Sequence, residues 1–311
     1  TCGTSNGSEV VYLVNLAADS SLQAVVTSRS PTLAPSVYLR SAICETGTEV
    51  ACAFTTTLGG SASLVARSLT AGPYYLFVDG DSESYGEFAL DVLIGAPMAE
   101  PEECTTAQPL WFRDGVAVVT GDTTNAADNN SGSCGYSSAT APDLVYSFTI
   151  DPADAPMNVR AVLTASWDEL IYLTDACPAA DPANELECDD EPGEVIAADL
   201  GAGTYYVWVD GYSTAKGPFT LTVELTEPVA NDGCGGAEPV TLTQDPTSGD
   251  MIGTATGTTT GAYDSGSGYC GGSSGDVMYS FEIGSEQTVE ILVTPTQGST
   301  LKPLVHLRAT T

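Results

Sequence analysis

Residues 72–80 read Gly-Pro-Tyr-Tyr-Leu-Phe-Val-Asp-Gly, and 131 positions further on residues 203–211 read Gly-Thr-Tyr-Tyr-Val-Trp-Val-Asp-Gly. Both copies run into a second matched stretch at the same offset, Phe88-x-Leu90-x-Val92-x-Ile94 and Phe219-x-Leu221-x-Val223-x-Leu225. Apolar residues at every second position are the signature of a half-buried strand. Tyr205, Val207 and Val209 then share one face, and Tyr206, Trp208 and Asp210 the other. The Asp-Gly closing each copy is a turn signal. A strand–turn–strand cassette copied at this spacing predicts repeated β-domains, and no segment carries a sustained helical period.

The nine cysteines extend the pattern. Cys2, Cys134 and Cys270 each precede Gly, a polar loop and a common strand: Glu9-Val-Val-Tyr-Leu-Val-Asn-Leu, Asp143-Leu-Val-Tyr-Ser-Phe-Thr-Ile and Asp276-Val-Met-Tyr-Ser-Phe-Glu-Ile. Cys104 and Cys234 open repeats. Cys44/Cys52 and Cys177/Cys188 follow a third shared strand, Val37-Tyr38-Leu39 and Ile171-Tyr172-Leu173. The expected layout is repeat 1 at 1–97 without its first strands, a linker at 98–103, a complete repeat 2 at 104–225, a linker at 226–233, and repeat 3 at 234–311 without its last strands. Either the chain continues in both directions or neighbours complete the partial repeats.

Four cysteines in repeat 2 allow three pairings. The simplest scheme consistent with the layout is Cys104–Cys134, Cys177–Cys188, Cys234–Cys270 and Cys44–Cys52, with Cys2 single. Zinc is the weaker reading, because there is no Cys-x2-Cys pair and one histidine in the chain. Bridged cysteines place the protein outside the cytosol, at the cell surface or secreted.

Strands are expected in repeat 2 near 110–119, 143–150, 157–165, 170–174, 193–198, 204–210 and 217–225. About seven short strands at this spacing argue for an all-β fold of tandem antiparallel β-sandwich domains, jelly-roll-like and stapled by disulfides. Charge limits the partners: 8 basic against 41 acidic residues give −33. Nucleic acid and anionic membranes are repelled by such a surface. No stretch approaches the ~18 apolar residues of a membrane span, and Thr1-Cys2-Gly3 reads as mature or truncated sequence.

The order Cys…Ala…Leu, Gly-x-Thr, Cys-Gly, Pro-Asp-Leu-Val-Tyr-Ser-Phe, Gly-Thr-Tyr-Tyr-Val-Trp-Val-Asp-Gly and Phe-Thr-Leu-Thr-Val resembles the bacterial pre-peptidase C-terminal domain, in the cysteine-bearing version found in tandem in large secreted proteins. The resemblance implies a jelly-roll-like sandwich without catalytic activity, carried on secreted proteases and surface proteins. It also implies calcium near the domain's N-terminal linker, where this chain has Glu102-Glu103 and Asn231-Asp232.

No catalytic constellation recurs. His306 aligns with Tyr38 and Tyr172, which are core or sheet positions. Gly271-Gly-Ser273-Ser-Gly275 fits Gly-x-Ser-x-Gly but precedes a strand instead of joining strand to helix. Oxygen-rich loops are candidates for calcium: Asp122–Asp128 with Asn125, Asn129 and Asn130; Asp189-Asp190-Glu191; and Asp79-Gly-Asp81. Asp128 recurs as Asp264, so the candidate set is Asp122, Asp128 and Asp264; Asn and Asp making ordinary turns is the plainer account. Tyr206 and Trp208, matched by Tyr75 and Phe77, form a platform for sugars or peptides if their face is open and core if it is covered. The expected function is a non-catalytic structural or adhesive repeat protein in a surface stalk, fibre or filament. Its partners would be other copies or further repeats, or an extracellular protein or polysaccharide. The alternative is a substrate-binding accessory module of a secreted peptidase or glycan-degrading enzyme.

Overall fold

The structure, a computed structural model, describes residues 2, 7–44, 46–135, 140–177, 184–263 and 274–308. It divides into two units, Thr1–Leu225 and Thr226–Thr311. The fold is all-β, and no helix among the described residues is long and apolar enough to cross a membrane.

The first unit contains two sandwiches. Strands β1 (Val10–Leu16), β6 (Gly72–Gly80), β3 (Pro35–Ser41) and β4 (Glu49–Phe54) form one sheet of the first sandwich in that order. Strands β5 (Ser61–Leu69), β2 (Ser20–Ser28) and β7 (Phe88–Gly95) form the other. In the second sandwich the sheets are β13-β12-β15-β10-β8 and β14-β11-β16-β9. Their ranges are β8 Gln108–Pro109, β9 Val116–Asp122, β10 Leu144–Ile150, β11 Met157–Ala165, β12 Glu169–Thr174, β13 Glu185–Asp190, β14 Glu194–Leu200, β15 Gly203–Gly211 and β16 Pro218–Thr226.

The alternation read from the sequence sets the layers. Tyr205, Val207 and Val209 of β15 pack inward against Phe219, Leu221 and Val223 of β16 and the facing residues of β10 and β11. Leu76 and Val78 of β6 do the same in the first sandwich. The Asp-Gly that ends each cassette works by close approach: a Cβ at Gly211 would run into the carbonyl oxygen of Ala215, and one at Gly80 into that of Ser84.

The outer face of the five-stranded sheet is covered as well, and here the sequence-based pairing of cysteines is corrected. The bridges are Cys2–Cys52, Cys104–Cys177 and Cys134–Cys188, and Cys44 is a free thiol. Cys104–Cys134, Cys177–Cys188 and Cys44–Cys52 do not form, and Cys2 is not the single one. The reason is β13, a strand the sequence reading missed. It pairs with β12 so that Cys188 lies opposite Tyr172. Cys177 lies five residues beyond Tyr172, past the hydrogen bond from Asp175 N–H to Asn184 O that extends the hairpin. Five extended residues span about 16 Å, well over the roughly 7 Å that a disulfide allows between Cα atoms. Cys52 opposite Tyr38 repeats the arrangement, with Cys44 beyond the strand end. Cys234–Cys270 lies outside the described residues. Three disulfides belong to an oxidising compartment, extracellular or within the cell envelope.

The expected strand at 110–119 also divides. Residues 108–109 make a short parallel ladder with β10, and the long strand starts at Val116 after a turn at Gly115, whose φ is +79°.

In the second unit Glu238–Pro239 (β17) pairs in parallel with Tyr279–Ser280 (β20), and Thr243–Gln244 (β18) pairs with Met251–Ile252 (β19). Asn231 Nδ2 donates to Met278 O at 3.1 Å. The strand expected at Asp276–Ile283 is reduced to two paired residues. Val305–Arg308, matched to β3 and β12, lies exposed and outside any strand of the described residues.

Candidate functional site

On the outer face of the second sandwich, alternation places Val145 and Asp143 on one side of β10 and Trp208 and Asp210 on the same side of β15. Leu144 pairs with Val209, so Asp143 and Asp210 are the next pair across the two strands. Tyr172 of β12 stacks on Trp208, with ring centroids 5.7 Å apart and 2° between planes. Val145 and Leu170 complete this layer, packed under Cys104, Ala107, Cys134, Cys177 and Cys188. Trp208 is fully buried and its Nε1 donates to Thr174 Oγ1 at 3.1 Å. The face is covered, so Trp208 is core and not an open platform, and Tyr206 beside it is half-buried. In the first sandwich Phe77 is likewise buried against Tyr38, 4.6 Å between centroids, with the Arg40 guanidinium 4.9 Å from the Phe77 ring. Tyr75 is half-buried.

The acidic corner of this layer is its chemically unusual part. Asp143 is 0% and Asp210 3% exposed. Asp143 Oδ1 accepts the N–H groups of Asn129 at 2.6 Å and Asn130 at 3.0 Å. Asn129 Nδ2 in turn donates to Glu102 O at 3.0 Å, which ties the loop to the linker. Asp210 Oδ1 accepts Gly211 N–H at 2.6 Å. Burial drives the Asp143 carboxyl up to about 6, against the lowering effect of the Asn129 and Asn130 donors, with Asp128 raising it further. Burial likewise drives Asp210 up to about 7, helped by the charges of Asp143 and Asp128. The hydroxyl of Tyr172, next in this layer, is buried without a hydrogen-bond partner among the described residues. Two desolvated carboxylates side by side can hold a proton at neutral pH. Glu9 and Asp79 stand at the matching positions of the first sandwich, where Tyr38 Oη donates to Glu9 Oε2 at 2.9 Å.

The sequence reading placed metal ligands elsewhere. Asp122 and Asp128 are both exposed, and Asp122 Oδ1 accepts Thr124 N–H at 2.8 Å, an Asx turn. Asp264 and Gly271–Ser273 lie outside the described residues. Among the described residues no group of three or more His, Cys, Asp or Glu is placed to hold a metal. Glu103 forms a reciprocal cap with Thr106, and the Asp232 carboxylate accepts Tyr263 N–H at 2.8 Å, so both linker positions serve local turns. Asp189 Oδ2 accepts Glu194 N–H at 3.0 Å. His306 is exposed. Asp143 and Asp210 were readable in principle, since each sits two residues from an apolar side chain of the covered face.

A sequence-family model described as "Galactose binding domain-like" matches residues 100–216. No curated protein matches. Among solved structures, a periplasmic inhibitor of g-type lysozyme from Aeromonas hydrophila, PliG, is 16% identical, with 39% of this chain and 96% of that one covered and a TM-score of 0.28. The PBSX exported protein XepA is 11% identical, with 72% and 83% covered and a TM-score of 0.23.

Proposed function

We propose that this chain is a non-catalytic extracellular structural or adhesive module, part of a surface stalk, fibre or filament built from β-sandwich repeats at 1–97, 104–225 and 234–311. The observation that carries the reading is the joint between the two sandwiches. Met98 N–H donates to Arg67 O at 2.9 Å, and Arg67 pairs with Glu100 at 2.9 Å. Across the joint, Thr120 Oγ1 donates to Ser63 O at 2.6 Å and Arg113 pairs with Asp91 at 3.3 Å. A linker of this length with free side chains would be a hinge; pinned at both ends, it transmits force between repeats. Its neighbours in such an assembly are further repeats or other copies, and the −33 charge argues against nucleic acid. Electron microscopy of native material is expected to show stalks or fibres with a repeat of one sandwich. Dispersed monomers alone would count against the reading.

The second reading, a substrate-binding accessory module, draws on the galactose-binding-like match to 100–216. Tyr206 and not Trp208 discriminates, because Trp208 is core and its loss reports folding. Under the accessory reading Tyr206→Ala abolishes retention on immobilised polysaccharide or collagen while the chain still unfolds in a single cooperative transition. Under the structural reading neither chain is retained.

A further inference from the structure

The joint between the two sandwiches holds a cavity of about 300 Å³. One wall is Arg67 of β5 with residues 97–99 of the linker, and the other is residues 105–109, which run into β8. The linker wall is fixed: Met98 N–H donates to Arg67 O at 2.9 Å, and the Met98 sulfur accepts Gln23 Nε2 at 3.9 Å. Pro97, Met98 and Pro109 give the lining the apolar surface of a small-molecule site. Gln108 is the buried residue of the second wall, 2% exposed. Neither its Nε2 nor its Oε1 has a hydrogen-bond partner among the described residues. Tyr146, opposite Gln108 on the parallel ladder, has a buried hydroxyl that is unpartnered as well. Buried polar groups of folded proteins are nearly always paired, so two orphaned atoms on one side chain beside a cavity mark the seat of a ligand.

We infer that this cavity binds a small uncharged molecule with two adjacent hydroxyl groups, a vicinal diol, through the Gln108 amide. The amide offers donors at Nε2 and an acceptor at Oε1, and its terminal torsion is broad enough to turn either edge to a ligand. Neighbouring hydroxyls satisfy both atoms, one accepting from Nε2 and the other donating to Oε1. A carboxylate only accepts, and leaves Oε1 orphaned. A trans peptide group carries its N–H and C=O on opposite edges and meets one of the two atoms at a time. Charge points the same way. Arg67 is already paired with Glu100 at 2.9 Å and gives Nη1 to Ala99 O at 3.5 Å. An anion therefore meets Glu100 and the −33 charge of the chain, and a cation meets the guanidinium. The inference goes beyond the proposed function and rests on neither of its readings. A bound diol touches the linker and the second sandwich together, and so stiffens the joint.

Saturation-transfer NMR of the full chain with cis-1,2-cyclohexanediol tests the site. Binding of the diol is expected, with at least ~10-fold weaker affinity for cyclohexanol, which has one hydroxyl. Gln108→Leu removes both amide groups at nearly constant volume. It is expected to keep or raise the urea midpoint, because it deletes orphaned polar atoms, while affinity for the diol falls at least ~10-fold. Ala99→Trp, at an exposed position of the lining, fills the cavity without entering the core and is expected to abolish binding. With the diol at three times its Kd, hydrogen exchange at Met98 N–H is expected to slow about 4-fold, since opening the joint releases the diol. Diol chemistry of this kind comes from a free polyol or from the end of a glycan, so glycerol and methyl α-D-mannopyranoside are added as competitors. Displacement by either supports the site, and the tighter competitor identifies the source. No transfer to the parent chain, equal affinity for diol and cyclohexanol, or binding that survives both variants overturns the proposal. Loss of binding in Tyr206→Ala also overturns it, by moving the site to the outer face of the second sandwich.

Discussion

Replacing Cys134 and Cys188 together by serine is expected to lower the unfolding free energy of the second sandwich by roughly 4 kcal/mol, whereas Cys44→Ser is expected to change stability by no more than about 0.5 kcal/mol. The bridge closes a loop of 54 residues, and freeing it returns that loop's entropy to the unfolded chain. It also anchors the loop that covers Tyr172 and Trp208: a Cβ at Gly132 would touch both the Tyr172 ring and the Cys188 sulfur, so the loop lies directly on that layer. Loosening it admits water to the stacked pair, so tryptophan emission should shift to the red before the main transition. Cys44 closes no loop. Urea unfolding with fluorescence detection measures both quantities. The bridge assignment fails if Cys44→Ser costs about 2.5 kcal/mol, the outcome that a Cys44–Cys52 bond closing a loop of about eight residues would give.

That contrast marks the limit of the sequence. Strands β10, β11, β12, β15 and β16 were legible because alternation exposes its own period: Tyr205, Val207 and Val209 face the core as the pattern requires. Repetition also identified equivalent cysteines. Equivalence carries no distances, however, and the bonds run between layers. Cys104 and Cys134 come from covering loops, Cys188 from the sheet beneath and Cys177 from the connection that follows β12. The strand that would have revealed this, Glu-Leu-Glu-Cys-Asp-Asp at 185–190, is an edge strand with half-exposed side chains and no apolar alternation. Its last two residues, with Glu191, read from sequence as an oxygen-rich loop, Asp189-Asp190-Glu191. Trp208 stood open between platform and core, and only the third layer of loops decided it. The acidic corner is hidden differently: Asp143 opens the expected strand 143–150 and Asp210 belongs to an Asp-Gly turn signal, and whether their shared face is covered is what the pattern leaves open.

Asp210→Asn is expected to stabilise the protein at pH 8 and to leave it unchanged at pH 4. The folded-state value of Asp210 lies at about 7 against 3.8 for the ordinary carboxyl, first because it is buried and then because Asp143 and Asp128 are near. Below about pH 4 the group is protonated in both folded and unfolded chains, and its favourable contribution is complete. Between about 4 and 7 the folded chain alone keeps the proton, so stability falls by up to about 1.4 kcal/mol per pH unit as pH rises. Above about 7 the contribution is lost, and the buried charge costs on the order of 4 kcal/mol. The asparagine keeps an oxygen for Gly211 N–H and offers Asp143 a donor instead of a second charge. The −33 charge weakens the fold at high pH in both chains alike, so the difference between them isolates the corner. Urea unfolding at pH 4, 6 and 8 in EDTA measures it, and a variant weaker than the parent at pH 8, or a difference that does not change with pH, defeats the assignment. Repeating the pH 8 series with calcium tests the cation we propose for the Asp128 loop: bound there, it stabilises the parent more than the variant, because it offsets a charge that the variant lacks. An unchanged midpoint in both chains removes calcium and leaves the pH dependence of the corner to the proton it holds.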